Sequence, residues 1–166
     1  MGKLDGKVAV VTGASKGIGA AIARNLAVEG ASVVVNYSSS KDAAESVVSE
    51  IENEGGKAVA VKGDVSQGSE AESIIQAAMD NFGKLDILVN NSGVYEFASI
   101  EDITGEHFHR IFNVNVLGLL YTTQAAVKVM TSGASIINVG SAITSAPFGG
   151  KTARIARKSF SAPASL

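Results

Sequence analysis

The sequence predicts an α/β fold, a doubly wound parallel sheet in three layers, on two observations. Five short runs rich in β-branched residues alternate along the chain with longer amphipathic segments. The runs are apolar at consecutive positions, so both of their faces need cover, which is the pattern of parallel strands sandwiched between helices. With 166 residues, 46% of them apolar, the chain is long enough for one domain with a sizeable core.

The first strand is expected at Val8 to Thr12, closed by Gly13. A helix from Gly17 to Glu29 follows, with Ile18, Ile22 and Leu26 recurring four apart and Gly30 as its stop. Ser32 to Asn36 reads as the second strand, and Lys41 to Glu54 as a charged helix with Val47, Val48 and Ile51 inward. A third strand, Ala58 to Val61, ends at Gly63-Asp64. The next helix spans Ser69 to Phe82, with Ile74, Ala78 and Phe82 in one row and Ile75 and Met79 in the adjacent one. Leu85 to Val89 is the fourth strand, Thr104 to Met130 one long helix, and Ser135 to Val139 the fifth strand. No repeat or linker interrupts this order before Pro147.

A net charge of −2 points to neither a nucleic acid nor a membrane as partner. The charge is uneven, however. No acidic residue follows Glu106, and Lys151, Arg154, Arg157 and Lys158 fall within the last sixteen positions. There is no cysteine, which excludes disulfides and thiolate metal sites and suits the cytoplasm. No metal site is expected, and His107 and His109 read as surface residues of a helix start. The N-terminus lacks the apolar run of a secretory signal, and no segment reaches the roughly 20 apolar residues that cross a bilayer.

Chemistry concentrates at Thr12-Gly13-Ala14-Ser15-Lys16-Gly17-Ile18-Gly19, between the first strand and the first helix. Gly13 permits a tight turn. Gly17 and Gly19 allow backbone to approach a pyrophosphate, and the helix start offers free N–H groups and the positive end of its dipole. Strand before and helix after are the context that separates such a loop from a ligand-free glycine turn. Further along, Asp64 either caps the following turn or faces a ligand. Asn115 lies on an apolar row with Phe108, Ile111 and Leu119, and needs either structural partners or a water network. Tyr95 and Phe97 line a cleft or cover a sheet edge.

The spacing G-x-x-x-G-x-G resembles the short-chain dehydrogenase/reductase family, in which the fold is of Rossmann type. Four more matches follow in order over residues 3 to about 147: Gly63-Asp64-Val65, Asn90-Asn91-Ser92-Gly93, Asn113-Val114-Asn115, and Ser141 just past the fifth strand. The resemblance implies an oxidoreductase that transfers hydride between a nicotinamide and a carbonyl or secondary alcohol. Within the family, the front half looks most like the 3-oxoacyl carrier-protein reductase and glucose dehydrogenase branches. It implies catalytic roles for Ser141 and Asn115, adenine contact at Asp64 and Val65, and cofactor contact at Asn91, Ser92 and Gly93. Gly13, Ser15, Lys16, Gly17, Ile18 and Gly19 form the phosphate loop, and Asn36 and Ser38 are expected beside the adenosine ribose. NAD-preferring sites place a carboxylate there; here Asn36-Tyr37-Ser38-Ser39-Ser40-Lys41 carries none before Asp42. NADP(H) is therefore expected over NAD(H), with Lys16 as a positive partner, and Asp at position 36 is expected to reverse the preference.

The resemblance fails at one point. The family carries a Tyr about 13 residues after the catalytic Ser and a Lys four residues later; those positions hold Arg154 and Lys158. Arg does not yield its proton at any relevant pH and cannot act as the general acid. The tyrosines, Tyr37, Tyr95 and Tyr121, all precede Ser141. If Arg154 to Ser159 are encoded CGT-ATA-GCG-CGN-AAA-AGY, reading one base earlier from the last T gives TAT-AGC-GCG-NAA-AAG. That is Tyr-Ser-Ala-Xaa-Lys, so a single-base frame change near Gly149 to Thr152 accounts for residues 148–166 as an aberrant basic tail behind a nucleotide-binding domain of residues 1–147. A small carbonyl or alcohol substrate, little turnover, and exposed apolar surface on strands one, four and five that favours self-association complete the expectations. A non-catalytic nucleotide-binding fragment or an unstable truncated product is the alternative.

Overall fold

The computed structural model describes residues 2–96 and 98–141; Phe97, Arg154, Lys158 and the rest of the basic tail lie outside the described residues. Five parallel strands form one sheet: β1 (Val8–Val11), β2 (Ser32–Tyr37), β3 (Lys57–Lys62), β4 (Ile87–Asn90) and β5 (Ser135–Asn138), in the order β3-β2-β1-β4-β5. Val11 lies beside Val35 on one side and Val89 on the other, and Val89 beside Ile137, so the central strands end level with one another.

The alternation of two-faced apolar strands with helices produces the expected three layers. Helices α1 (Gly17–Val28) and α2 (Lys41–Asn53) cover one face, where Ala9, Val11, Val33 and Val35 meet Ala23, Ala44, Val47 and Ile51. Helix α3 (Gly68–Phe82) and the end of the long helix cover the other, where Val10, Val34 and Leu88 meet Ile74, Ile75, Ala78, Ala125 and Ala126. On α1 the buried face is Gly19, Ala20, Ala23 and Ala27, not the row headed by Ile18, which is 67% exposed. Small residues let the helix lie close against the strands, and the bulkier row is left at its flank.

The segment expected as one helix from Thr104 to Met130 is helical from Gly105 to Val127 and is not uniform. Helix α4 (Gly105–Phe112) runs through a π-turn (Asn113–Leu117) into α5 (Gly118–Val127), and the Gly118 N–H donates to Asn113 O, five residues back. Thr104 caps α4: its side chain accepts the His107 N–H at 3.2 Å, while His107 Nδ1 accepts the Thr104 N–H at 3.5 Å. His107 thus takes the place that Glu or Gln holds in the usual reciprocal cap.

The expectation of exposed apolar surface is corrected for two of its three strands. β1 and β4 are wholly buried, because α1 covers them on one face and α3 and α5 on the other. Only β5 is open, with Ile136 and Ile137 exposed, together with Leu117, Leu120 and Val127 on the π-turn and α5. No helix among the described residues is long and apolar enough to cross a membrane.

Candidate nucleotide-binding and catalytic site

The strand order reverses direction between β1 and β4, and in such sheets the crevice beyond the strand ends at that point receives the ligand. The glycine loop leaves β1 there, and the Asn90-Asn91-Ser92-Gly93 turn leaves β4 beside it. Thr12 joins the two: its Oγ1 accepts the N–H groups of Asn91 and Ser92, each at 3.0 Å. Asn91 Nδ2 donates back to Thr12 O at 2.9 Å and Gly13 O at 3.1 Å. Gly13 and Gly17 have positive φ, 61° and 57°, which L side chains rarely adopt. A Cβ on Gly19 would collide with Asn91 Nδ2 and Gly13 O, so this glycine is required for the loop to close on the neighbouring turn. A Cβ on Gly17 would meet nothing within 4 Å. Here α1 begins without a side-chain cap, its backbone bare to the cleft, with Lys16, Gly17 and Ile18 exposed and Ser15 half-buried. Bare backbone at an uncapped helix start fits a phosphate group.

Asn36 is 1% exposed, and its side chain is a strut beneath the loop. Asn36 Oδ1 accepts the Gly13 N–H at 3.1 Å, and Nδ2 lies 3.0 Å from Gly63 O and 3.3 Å from Val61 O. The side chain therefore holds the glycine loop to the end of β3. Ser38 and Ser39, just past β2, are exposed, as is Lys16.

After β3, Asp64 Oδ1 accepts the Ser66 N–H at 2.9 Å, so one of its oxygens caps the turn. The Asp64 N–H donates to Glu70 Oε2 at 2.7 Å, and Gln67 N–H to Asp64 O at 3.0 Å, which makes residues 64–67 a tightly bonded turn. Val65 points inward and is 4% exposed.

Asn115 sits in the π-turn, 5% exposed, and pairs with one residue in the manner of a β-bridge. Its Oδ1 accepts the Val94 N–H and its Nδ2 donates to Val94 O, each at 2.8 Å. One amide hydrogen and one lone pair remain for a water. The loop beyond Gly93 is fastened again at Glu96, whose Oε1 lies 2.7 Å from Arg110 Nη1 and whose buried Oε2 faces His107 Nε2 at 3.8 Å. Between these anchors Tyr95 is 80% exposed. β5 is locked level with β4 by Asn90 Nδ2, which donates to Asn138 Oδ1 at 3.0 Å and to Thr123 Oγ1 at 3.2 Å. Ser141 follows three residues past β5, exposed, at the same edge of the sheet as the glycine loop. No cluster of His, Cys, Asp or Glu suited to a metal occurs among the described residues.

A family model for the short chain dehydrogenases matches residues 7–161, nearly the whole chain. The chain belongs to the short-chain dehydrogenase family. It is 63% identical over 144 residues to an uncharacterized oxidoreductase of Methylorubrum extorquens, covering 87% of this chain and 58% of that protein. It is 48% identical over 139 residues to elsinochrome reductase 1 of Elsinoe fawcettii, covering 84% of this chain and 52% of that enzyme. The fold superposes with a TM-score of 0.86 and 37% identity on a short chain dehydrogenase of Burkholderia cenocepacia in complex with NADP, over 90% of this chain and 61% of that one. The chain spans little more than half the length of the curated relatives it matches.

The roles of three residues that hold these loops together were not read from the sequence, although Thr12 heads the glycine-loop segment. Thr12 had one visible signal, a hydroxyl at the last position of an apolar strand, directly before the glycine. Thr122 and Gly118 had none. Thr122 is fully buried, its Oγ1 lying 2.7 Å from Asn90 Oδ1 and 2.8 Å from Gly118 O. Both depend on a partner in a distant part of the chain.

Proposed function

We propose that the chain binds NADP(H) at the β1/β4 crevice and derives from an enzyme that moves hydride between the nicotinamide and a carbonyl or secondary alcohol. The observation that carries this reading is Gly17: positive φ, open space where a Cβ would stand, and an uncapped helix start, packed by Gly19 against Asn91. In this reading Gly13, Ser15, Gly17, Ile18 and Gly19 cradle the pyrophosphate by backbone N–H groups and the dipole of α1. Lys16, Ser38 and Ser39 are the exposed groups that would meet a 2′-phosphate, and no carboxylate stands between Tyr37 and Lys41 to repel one. Asp64, Val65, Asn91, Ser92 and Gly93 form the remaining walls. The B. cenocepacia neighbour, described with NADP, supports this choice of nucleotide.

When bound, the nicotinamide supplies the hydride. Ser141 donates a hydrogen bond to the substrate oxygen, and Asn115 keeps the Val94 loop against the π-turn and retains one N–H for a water. A proton must still reach that oxygen, and Arg154 stands where the family keeps its Tyr. For that reason a nucleotide-binding chain with little or no turnover is the second reading.

Calorimetric titration with NADPH and NADH tests the proposal. Tighter binding of NADPH is expected, and it should weaken steeply with salt because a phosphate and Lys16 are paired. Binding of neither nucleotide would overturn the nucleotide reading, and preference for NADH would overturn the choice between them.

A further inference from the structure

We infer that Gly118 is a positioning residue for the adenine side of the nucleotide site, acting through Val65; this rests on the nucleotide reading above. The helix carrying Gly118 approaches the turn after β3 so closely that a Cβ on Gly118 would lie 2.6 Å from Val65 Cγ2, 3.1 Å from its Cβ and 3.3 Å from its carbonyl carbon. Real Cβ atoms do not sit that close, so one partner must move. The helix is held from behind. Thr122 Oγ1, with one proton to donate, lies 2.7 Å from Asn90 Oδ1 on β4 and 2.8 Å from Gly118 O, and one turn earlier Asn115 grips both backbone groups of Val94. Gly118 also closes the π-turn through its bond to Asn113 O.

Val65 is the part that gives way. It is β-branched and buried, so its χ1 has few alternatives, and one of the threatened atoms is its own carbonyl carbon. Its backbone moves as a unit with Asp64, because residues 64–67 are cross-bonded by Ser66 N–H to Asp64 Oδ1 and Gln67 N–H to Asp64 O. A methyl group at position 118 therefore displaces Asp64 from the crevice without touching the ligand. Neither the glycine loop nor Ser141 takes part.

The test is a double-mutant cycle on the whole chain, with Kd for NADPH and for adenosine 2′,5′-bisphosphate as readouts. Gly118→Ala is expected to weaken both ligands by about tenfold, or about 1.4 kcal/mol. The same substitution made in a Val65→Ala background is expected to change both by less than about threefold, since the clash at 2.6 Å with Cγ2 is gone and only the tight contacts with the Cβ and carbonyl carbon, at 3.1 and 3.3 Å, remain to be relieved by a small shift. A role confined to stability would lower the melting temperature but leave the cycle additive. Wild-type chain that binds neither ligand removes the nucleotide reading itself. Wild-type chain that binds, with folded Gly118→Ala binding equally well, overturns the present inference alone. Should Gly118→Ala fail to fold, the pair Val65→Ala and Val65→Ala/Gly118→Ala decides: equal affinities uphold the inference, and a double variant that is unfolded or tenfold weaker overturns it.

Discussion

Replacing Asn36 by Asp separates what the local sequence suggests from what the structure requires. On sequence alone this change should place a guarding carboxylate beside the ribose and turn the preference toward NADH. In the folded chain the side chain is buried, with one oxygen facing the Gly13 N–H and its nitrogen between Gly63 O at 3.0 Å and Val61 O at 3.3 Å. Asp retains the first bond and turns a second oxygen toward two carbonyls. An ionised carboxylate there has lost a donor and has no cation; breaking a buried pairing in this way costs about 3–5 kcal/mol. Protonation limits the loss. Holding a proton at pH 7 on a group whose free pKa is about 3.9 costs at most about 4 kcal/mol, and the neutral acid can donate to Gly63 O again.

The expected penalty is therefore about 2–4 kcal/mol at pH 7, a fall in melting temperature of roughly 5–15 °C for a chain of this size. Its pH dependence has a definite sign. The Asp in the folded state has a raised pKa, so the penalty is full above that pKa. It fades as pH falls toward the unfolded value near 3.9. Thermal unfolding of Asn36→Asp beside wild type at pH 7 and pH 5, with NADPH and NADH titrations, checks both points. A variant with an unchanged melting temperature and a new NADH preference would refute the strut and put residue 36 at the ribose.

Gly19→Ala forces a methyl group onto Asn91 Nδ2 and Gly13 O, and should cost about 1–3 kcal/mol in denaturant unfolding and at least tenfold in NADPH affinity. At the opposite edge of the sheet, burial opposes ionisation of Asp86, but the Val8 N–H at 2.9 Å and Lys7 and Lys84 at 3.0 and 3.1 Å outweigh it and hold the carboxyl below its ordinary pKa. A lowered acid pKa stabilises above the unfolded value near 3.9 and loses that contribution as pH falls through the folded one. Asp86→Asn should thus be less stable than wild type by about 1–2 kcal/mol at pH 7, with the gap narrowing below about pH 4 in denaturant titrations. Turnover should be near background in a carbonyl-dependent NADPH oxidation assay, since positioned acid–base catalysis contributes roughly 10²–10⁴-fold and Arg154 stands at the position where the family keeps its Tyr; robust activity free of host enzyme would contradict this.

What could be read in advance from this sequence divides along a physical line. Val8–Val11, Val33–Val35 and Leu88–Val89 are apolar on both faces, and that pattern has one economical solution, a parallel sheet between helices. The glycine loop was legible for the same reason, because the demand for positive φ at Gly13 and Gly17 is local and only glycine meets it cheaply. Residues whose role depends on a partner far along the chain were not. Asn36 was placed at the ribose by its distance from the loop, but its job is fixed by Gly63, 27 residues away. Asn115 declared that it needed a partner by being polar on an apolar row, yet nothing in the row names Val94, 21 residues upstream. The π-turn holds Asn115 and is closed by the Gly118 N–H on Asn113 O, and neither feature alters the spacing of apolar residues. β1 and β4 were expected to be bare because cover was counted by elements. The structure instead lays α1 over one side and α3 with α5 over the other, and of the three strands expected bare β5 is the one left open among the described residues. Periodicity reports which side of an element needs cover, whereas a hydrogen bond between two loops leaves no period, and the functional edge of this sheet is built from such bonds.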